Sequence, residues 1–114
     1  QGQGWLTIEE VNWKSNGQIT TFSPSTYKIP AVSDIPKIFN VEIFKRGRNT
    51  ENVVNKAKTT GEPPLMLAMS VFFAIKDAIA SVGKYKLIPK IDGPATSEKI
   101  LMSLKDLKSR MNYN

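Results

Sequence analysis

The sequence contains no cysteine and no histidine among its 114 residues. Together these absences exclude disulfide bonds, cysteine-ligated iron–sulfur clusters, Cys or His nucleophiles and the common zinc sites. The acidic residues, ten in all, show no calcium-loop spacing either. We therefore expect no metal-ligating residues in this chain, and its lack of cysteine fits a cytoplasmic location.

Long apolar runs are also scarce. The one membrane candidate, residues 65–82, contains Lys76 and Asp77 and is more typical of a core helix than of a membrane span. A chain of 12.7 kDa with 40% hydrophobic residues can bury one modest core. The start of the sequence has neither a secretory signal nor an initiator methionine, so we expect one domain that is incomplete.

The net charge is +6, with a sequence pI near 9.7. From Ser81 onward the sequence has seven basic residues and three acidic ones. The basic residues are scattered, and no set of aromatic residues suited to stacking on bases lies among them. This pattern favours a solvated basic surface over a nucleic-acid interface, and we expect neither a nucleic-acid nor a membrane partner.

The first half of the chain carries two β-type signals. Residues 5–21 predict a hairpin around Asn16-Gly17, although residues 4–10 are equally typical of the tail of a helix. Residues 38–44 alternate between apolar and polar side chains, which predicts a strand with one buried face.

The second half predicts two helices. Residues 63–82 begin with two prolines, place apolar groups on every face and stop at Gly83, which indicates a helix buried on all sides. Thr96 is the expected N-cap of an amphipathic helix over residues 97–110. Its apolar stripe consists of Ile100, Leu104, Leu107 and Met111.

The predicted fold is thus α+β: a hairpin, a strand, one buried helix and one amphipathic C-terminal helix. A helix that needs covering on every face demands more neighbours than a chain of 114 residues can readily supply. We take this as a sign of a missing partner.

Glu62 is the candidate catalytic carboxylate. Gly61 before it would let the backbone approach a ligand closely, and Pro63-Pro64 after it stiffen the chain at the mouth of the apolar helix. A rigidly aimed carboxylate is what a general base requires. The plainer alternative is a helix-capping glutamate, and composition alone favours that alternative.

Several blocks of the sequence resemble the C-terminal region of xanthine dehydrogenases, in the family's own order. They begin with Gln1-Gly2-Gln3-Gly4-Trp5-Leu6-Thr7 and Glu9-Glu10, followed by Pro24-Ser25-Thr26-Tyr27-Lys28-Ile29-Pro30 with Asp34-Ile35-Pro36. Gly61-Glu62-Pro63-Pro64 with the apolar run after it, and Asp92-x-Pro94-Ala95-Thr96 with Glu98, complete the set. The resemblance covers nearly the whole chain.

The resemblance implies a function as well as a fold. Residues 1–114 would be the C-terminal segment of the molybdopterin-binding domain of a molybdenum hydroxylase. Glu62 would be the general base for hydroxylation of a purine, such as hypoxanthine or xanthine, while Gly61 and Gln1 would lie beside the molybdenum-molybdopterin cofactor.

The resemblance also implies partners. The family's FAD and iron–sulfur clusters lie on other parts, so the expected partners are the rest of the molybdopterin-binding part and the FAD/iron–sulfur subunit. The chain alone would be inactive. The alternative is a non-catalytic binding module, or a gene remnant, that keeps the family fold and a basic surface.

Overall fold

The computed structural model describes residues 1–112, so the last two positions of the predicted 1–114 segment lie outside the described residues. Three α-helices follow one another: α1 (Gly2–Thr7), α2 (Pro63–Val82) and α3 (Ser97–Asn112). Two short 3-10 turns, Val32–Asp34 and Val54–Lys56, lie between the first two helices. Over these 112 residues the chain forms no strand, so the β part of the α+β prediction is not confirmed.

The predicted hairpin survives only as a tight reversal. The Lys14 amide donates to the Gln18 carbonyl at 2.9 Å, and the Thr20 amide donates to the Asn12 carbonyl at 2.9 Å. Gly17 holds φ at +82°, the left-handed region that such a turn requires. Between these two hydrogen bonds lies one antiparallel bridge, which joins Trp13 and Ile19. The preceding residues form α1, which agrees with the helical alternative for residues 4–7, although the helix begins at Gly2 and residues 8–10 lie outside it.

The strand predicted over residues 38–44 does not form within residues 1–112 and is not confirmed. All seven residues are exposed and none of them lies in a helix or strand. An alternating segment becomes a strand only when a neighbouring strand accepts and donates its backbone hydrogen bonds. The described part of the chain offers no such neighbour.

Helix α2 has the predicted bounds. Pro63 and Pro64 occupy its first turn, where their missing amide protons cost no helical hydrogen bond. The helix ends at Gly83, as expected, but Gly83 has φ −88°. The left-handed conformation that reverses the chain falls instead on Lys84 and Tyr85, with φ of 50° and 58°.

Helix α2 is not buried on all sides, which corrects the sequence prediction. Only Ala68 and Ile79 are buried along its length. Large apolar side chains of the same helix are exposed: Leu65, Met66, Leu67, Met69, Phe73 and Val82. The short α1 covers one end and α3 covers the other, and residues 1–112 provide no further layer to enclose the rest. By length and composition α2 also meets the requirement for a membrane span, a test that core helices of soluble proteins pass too.

Helix α3 confirms the prediction of an amphipathic C-terminal helix. The Thr96 hydroxyl accepts from the Lys99 amide at 3.4 Å, and the Thr96 carbonyl accepts from the Ile100 amide at 2.9 Å. Leu107, on the predicted apolar stripe, is fully buried and lies against Gly83 at the end of α2. Arg110 adds an ion pair to Asp106 at 2.7 Å.

The molecule exposes far more surface than a compact protein of its mass. Its accessible surface is 9682 Å², whereas a folded monomer of 12.7 kDa exposes about 6,200 Å². Its radius of gyration is 18.7 Å, against about 13 Å for a compact domain of this length. The difference in area is several times the surface that one partner contributes to a standard protein interface, about 800 Å².

Candidate active site

Helix α1 is anchored on α2 through Gly2. A Cβ atom at this position would lie 2.1 Å from the Pro64 carbonyl oxygen and 2.9 Å from the Ala68 Cβ. Both distances are too short for any side chain, so the close approach of the two helices requires glycine. The contact places the Gln1–Gly4 segment on the first turns of α2.

Gly4 makes a second close approach, to the carboxylate of Glu9, a residue for which the sequence pattern predicted no role of its own. A Cβ at Gly4 would lie 2.2 Å from Glu9 Oε1 and 2.7 Å from the Pro30 ring. Glu9 is only 8% exposed and accepts a hydrogen bond from the Tyr27 hydroxyl. This hydrogen bond is the main cause that raises the pKa of Tyr27 above its ordinary 10.0, because it favours the protonated phenol.

A third segment reaches α1 from the far end of the chain. The Ala95 amide donates to the Leu6 carbonyl at 2.7 Å, just before α3 begins. Ala95 is buried there. Helix α1 therefore joins α2, the loop around Tyr27 and the entry to α3, although these are far apart in sequence.

Glu62 occupies the N-cap position of α2 and is exposed. Its backbone carbonyl accepts from the Leu65 amide at 3.0 Å, but its side chain makes no capping hydrogen bond. No other group within residues 1–112 bonds to the carboxylate. The Glu62 side chain thus does not cap the helix, and its carboxylate lies exposed at the helix terminus without a hydrogen-bond partner in residues 1–112.

Gly61 is also exposed, and a Cβ placed on it would meet open space. Packing within this chain therefore gives no reason for a glycine at position 61. Of the three predicted site residues, Gly61 and Glu62 are adjacent by sequence, and the fold brings the segment that starts at Gln1 to the same end of α2.

A shallow cavity of about 280 Å³ lies between the two helices beside this point. Its lining comprises Gln1, Gly2, Gln3, Pro64, Leu67, Ala68 and Val71. The amides of Gln1 and Gln3 can donate and accept hydrogen bonds there, and the α2 side is apolar. In the described range of residues no group of three or more Asp, Glu, His or Cys side chains converges as a metal site would need.

The amino-acid sequence was compared with those of known proteins. Residues 1–36 match the family model of the molybdopterin cofactor-binding domain. Over 97% of its length the chain is 41% identical to "Xanthine dehydrogenase/oxidase" of Felis catus. The chain belongs to the xanthine dehydrogenase family. It is also 40% identical to the xanthine dehydrogenase of Oryza sativa subsp. japonica over 93% of the chain, and 44% identical to that of Rattus norvegicus over 88%.

The chain spans only 8–9% of the length of these relatives. The resemblance to xanthine dehydrogenases is confirmed, and the matches support a segment of the molybdopterin-binding part. The matched residues 1–36 include Gly2, Gly4, Glu9 and Tyr27. The match therefore covers the contacts of Glu9 with Gly4 and Tyr27, but only one side of the contacts that α1 makes with Pro64, Ala68 and Ala95.

The residues around the cavity could hold one edge of a pterin cofactor, but they are too few to enclose the whole of it. A pterin ring carries amide-like donors and acceptors along its edge, which the side chains of Gln1 and Gln3 can pair. The cavity is slightly smaller than the usual small-molecule site, roughly 300–1,000 Å³. Most of any cofactor would therefore have to be held by residues beyond this chain.

Proposed function

We propose that this chain is the C-terminal segment of the molybdopterin-binding domain of a xanthine dehydrogenase-like oxidoreductase. Within the assembled enzyme Glu62 is the general base for hydroxylation of a purine. The observation that carries the proposal is the Glu62 carboxylate, exposed and without a partner at the N-terminus of α2.

The local geometry suits proton transfer by Glu62. A general base must reach its proton from a support that does not move, to within about 2.6–3.2 Å. Pro63 and Pro64 restrict the backbone on one side of Glu62, and the 20-residue α2 supports it. Since no group in residues 1–112 competes for the carboxylate, it is free to accept a proton from the reacting group.

The neighbouring residues have complementary roles in the proposal. The Gln1 amide pairs with the pterin edge, and Gly61 leaves open space beside Glu62 into which a bound group can approach. When bound, molybdenum-molybdopterin would supply an oxygen atom that derives from water and would accept the two electrons of the hydroxylation. Glu62 takes up one of the two protons released and then returns it to solvent.

The chain acts only as part of an assembly in this proposal. The relatives are more than ten times longer, and the exposed apolar faces of α2 require a covering layer. The rest of the molybdopterin-binding part is the proposed cover, and an FAD/iron–sulfur portion carries electrons away. The isolated chain is inactive, and the assembled enzyme works in the cytoplasm.

The experiment replaces Glu62 with glutamine in the assembled enzyme. Glu62→Gln keeps the size of the side chain but cannot accept the proton, so purine oxidation should be lost while molybdopterin content stays unchanged. Glu10→Gln is the matched control, because Glu10 is likewise exposed and lies near α1. Full purine turnover by the Glu62→Gln enzyme would remove Glu62 from the mechanism.

A further inference from the structure

Residues 38–44 have exposed apolar side chains and backbone groups that are largely without hydrogen bonds. From Ile38 to Ile43 neither amide nor carbonyl takes part in any hydrogen bond within residues 1–112. The side chains are exposed as well: Phe39 by 67%, Val41 by 71% and Ile43 by 86%. In a stable assembly such apolar groups are normally covered and such backbone groups paired.

The alternation of the segment is that of a strand with one apolar face. Phe39, Val41 and Ile43 fall on one side of an extended chain. Asn40 and Glu42 fall on the other side at its centre, with the apolar Ile38 and Phe44 at its two ends. A helix would scatter these residues around its axis. The pattern therefore suits a sheet edge, where the apolar side meets a core and the polar side faces water.

We propose that residues 38–44 add as a β-strand to an exposed sheet edge in the rest of the molybdopterin-binding part. This inference rests on the proposed function, which supplies the partner. Backbone hydrogen bonds give such strand addition its affinity, and the alternate side chains give it its register.

A second copy of this chain is a less suitable pairing partner for residues 38–44. Lys37 and Lys45 flank it symmetrically about Val41. Antiparallel pairing of two copies would set Lys37 of one opposite Lys45 of the other, and parallel pairing would stack identical lysines. Like charges opposite one another destabilise a strand pair, and flanking lysines are a common guard against self-pairing.

The size of the exposed surface also points to a large partner. The chain exposes more accessible surface than a compact protein of its mass. This excess area is several times the area that one protein buries in a standard interface. The relatives provide chain of the required size, because the matched stretch is only 8–9% of their length. All the relatives compared align with 88–97% of this chain.

The test measures binding to a defined probe. The probe is the molybdopterin-binding part of the Rattus norvegicus relative, from which the stretch aligned with this chain has been removed. Asn40→Pro and Val41→Pro each remove one backbone amide, and neighbouring amides of a strand point to opposite sides. At an edge, at least one of the two variants should bind at least about tenfold more weakly than the unmodified chain.

Thr59→Pro is the matched control, because Thr59 is exposed and makes no hydrogen bond. Its affinity should stay within about twofold of the unmodified chain. Circular dichroism should be the same for all variants, since none of the three residues has a partner to lose. In the complex, amide exchange should slow at alternate residues of 38–44, the signature of one-sided strand pairing.

The outcomes separate the two proposals. If the unmodified chain does not bind the probe, the proposed function fails together with this inference. If it binds but both proline variants bind equally well and no amide of 38–44 is protected, only the strand is overturned. Self-association of the free chain that Asn40→Pro or Val41→Pro abolishes would assign the strand to a second copy, and would also overturn it.

Discussion

Replacing Gly2 with alanine should detach α1 from α2. The new Cβ would lie 2.1 Å from the Pro64 carbonyl oxygen, where ordinary contacts begin at 3.4 Å. That oxygen belongs to the backbone of the first turn of α2 and cannot turn aside as a flexible side chain would. Helix α1 must therefore shift by more than about 1 Å, and overpacking of this kind costs about 1–3 kcal/mol.

The consequence can be read from amide exchange in the chain. A cost of about 2 kcal/mol corresponds to a roughly 30-fold larger population of the detached state. The Ala95 amide reports this state, because its bond to the Leu6 carbonyl exists only while α1 is docked. Its exchange should accelerate roughly 30-fold in Gly2→Ala, provided that α1 opens locally.

Gly61→Ala is the matched control, since a Cβ at Gly61 meets open space. Its Ala95 exchange should be unchanged. Ala95 exchange in Gly2→Ala within about threefold of the unmodified chain would show that the contact with Pro64 does not hold α1 on α2. Equal acceleration in Gly61→Ala would show the same, because the effect would then not come from the contact with Pro64.

Two further predictions follow from the core and from the Glu9–Tyr27 pair. Leu107→Ala should lower the free energy of unfolding by about 2–5 kcal/mol, because the side chain is fully buried, whereas exposed Lys108→Ala should change it by no more than about 0.5 kcal/mol. Urea unfolding measures both, and equal effects would contradict the assigned core. The pKa of Tyr27 is raised, so the stabilisation from its hydrogen bond is fully present below pH 10.0 and is lost as the pH rises through the higher folded value. Ultraviolet titration against Tyr27→Phe should show one tyrosine ionising late, and a Tyr27 that ionises at its ordinary pKa would contradict the bond to Glu9.

Local signals predicted the two longer helices, α2 and α3, well. Two prolines before an apolar run and a glycine after it placed α2, and Thr96 placed the start of α3, because these residues act on the backbone of their own turn. The position of Glu62 at the helix terminus followed from the same signals. The family was predictable because several ordered blocks, and not one motif, carried the resemblance.

Features that depend on distant residues were not predictable. The burial expected of α2 requires neighbours that this chain does not supply, and the strand over residues 38–44 requires a paired edge. The approach of Gly2 to Pro64 joins segments far apart in sequence, so no local pattern reveals it. The spacing of Gly2, Gly4 and Glu9 can be read from the sequence. Only the fold shows that both glycines lie in close contact with other parts of the chain.

The measurement that tests the central claim most directly is kcat for purine oxidation in the assembled enzyme with Glu62 or with Glu62→Gln, at equal molybdopterin content. Loss of a general base lowers the rate by about 10²–10⁴-fold, and the account predicts a fall in that range. The Glu10→Gln control should keep its kcat. A Glu62→Gln enzyme within about threefold of the unmodified kcat would contradict the assignment of Glu62 as the base.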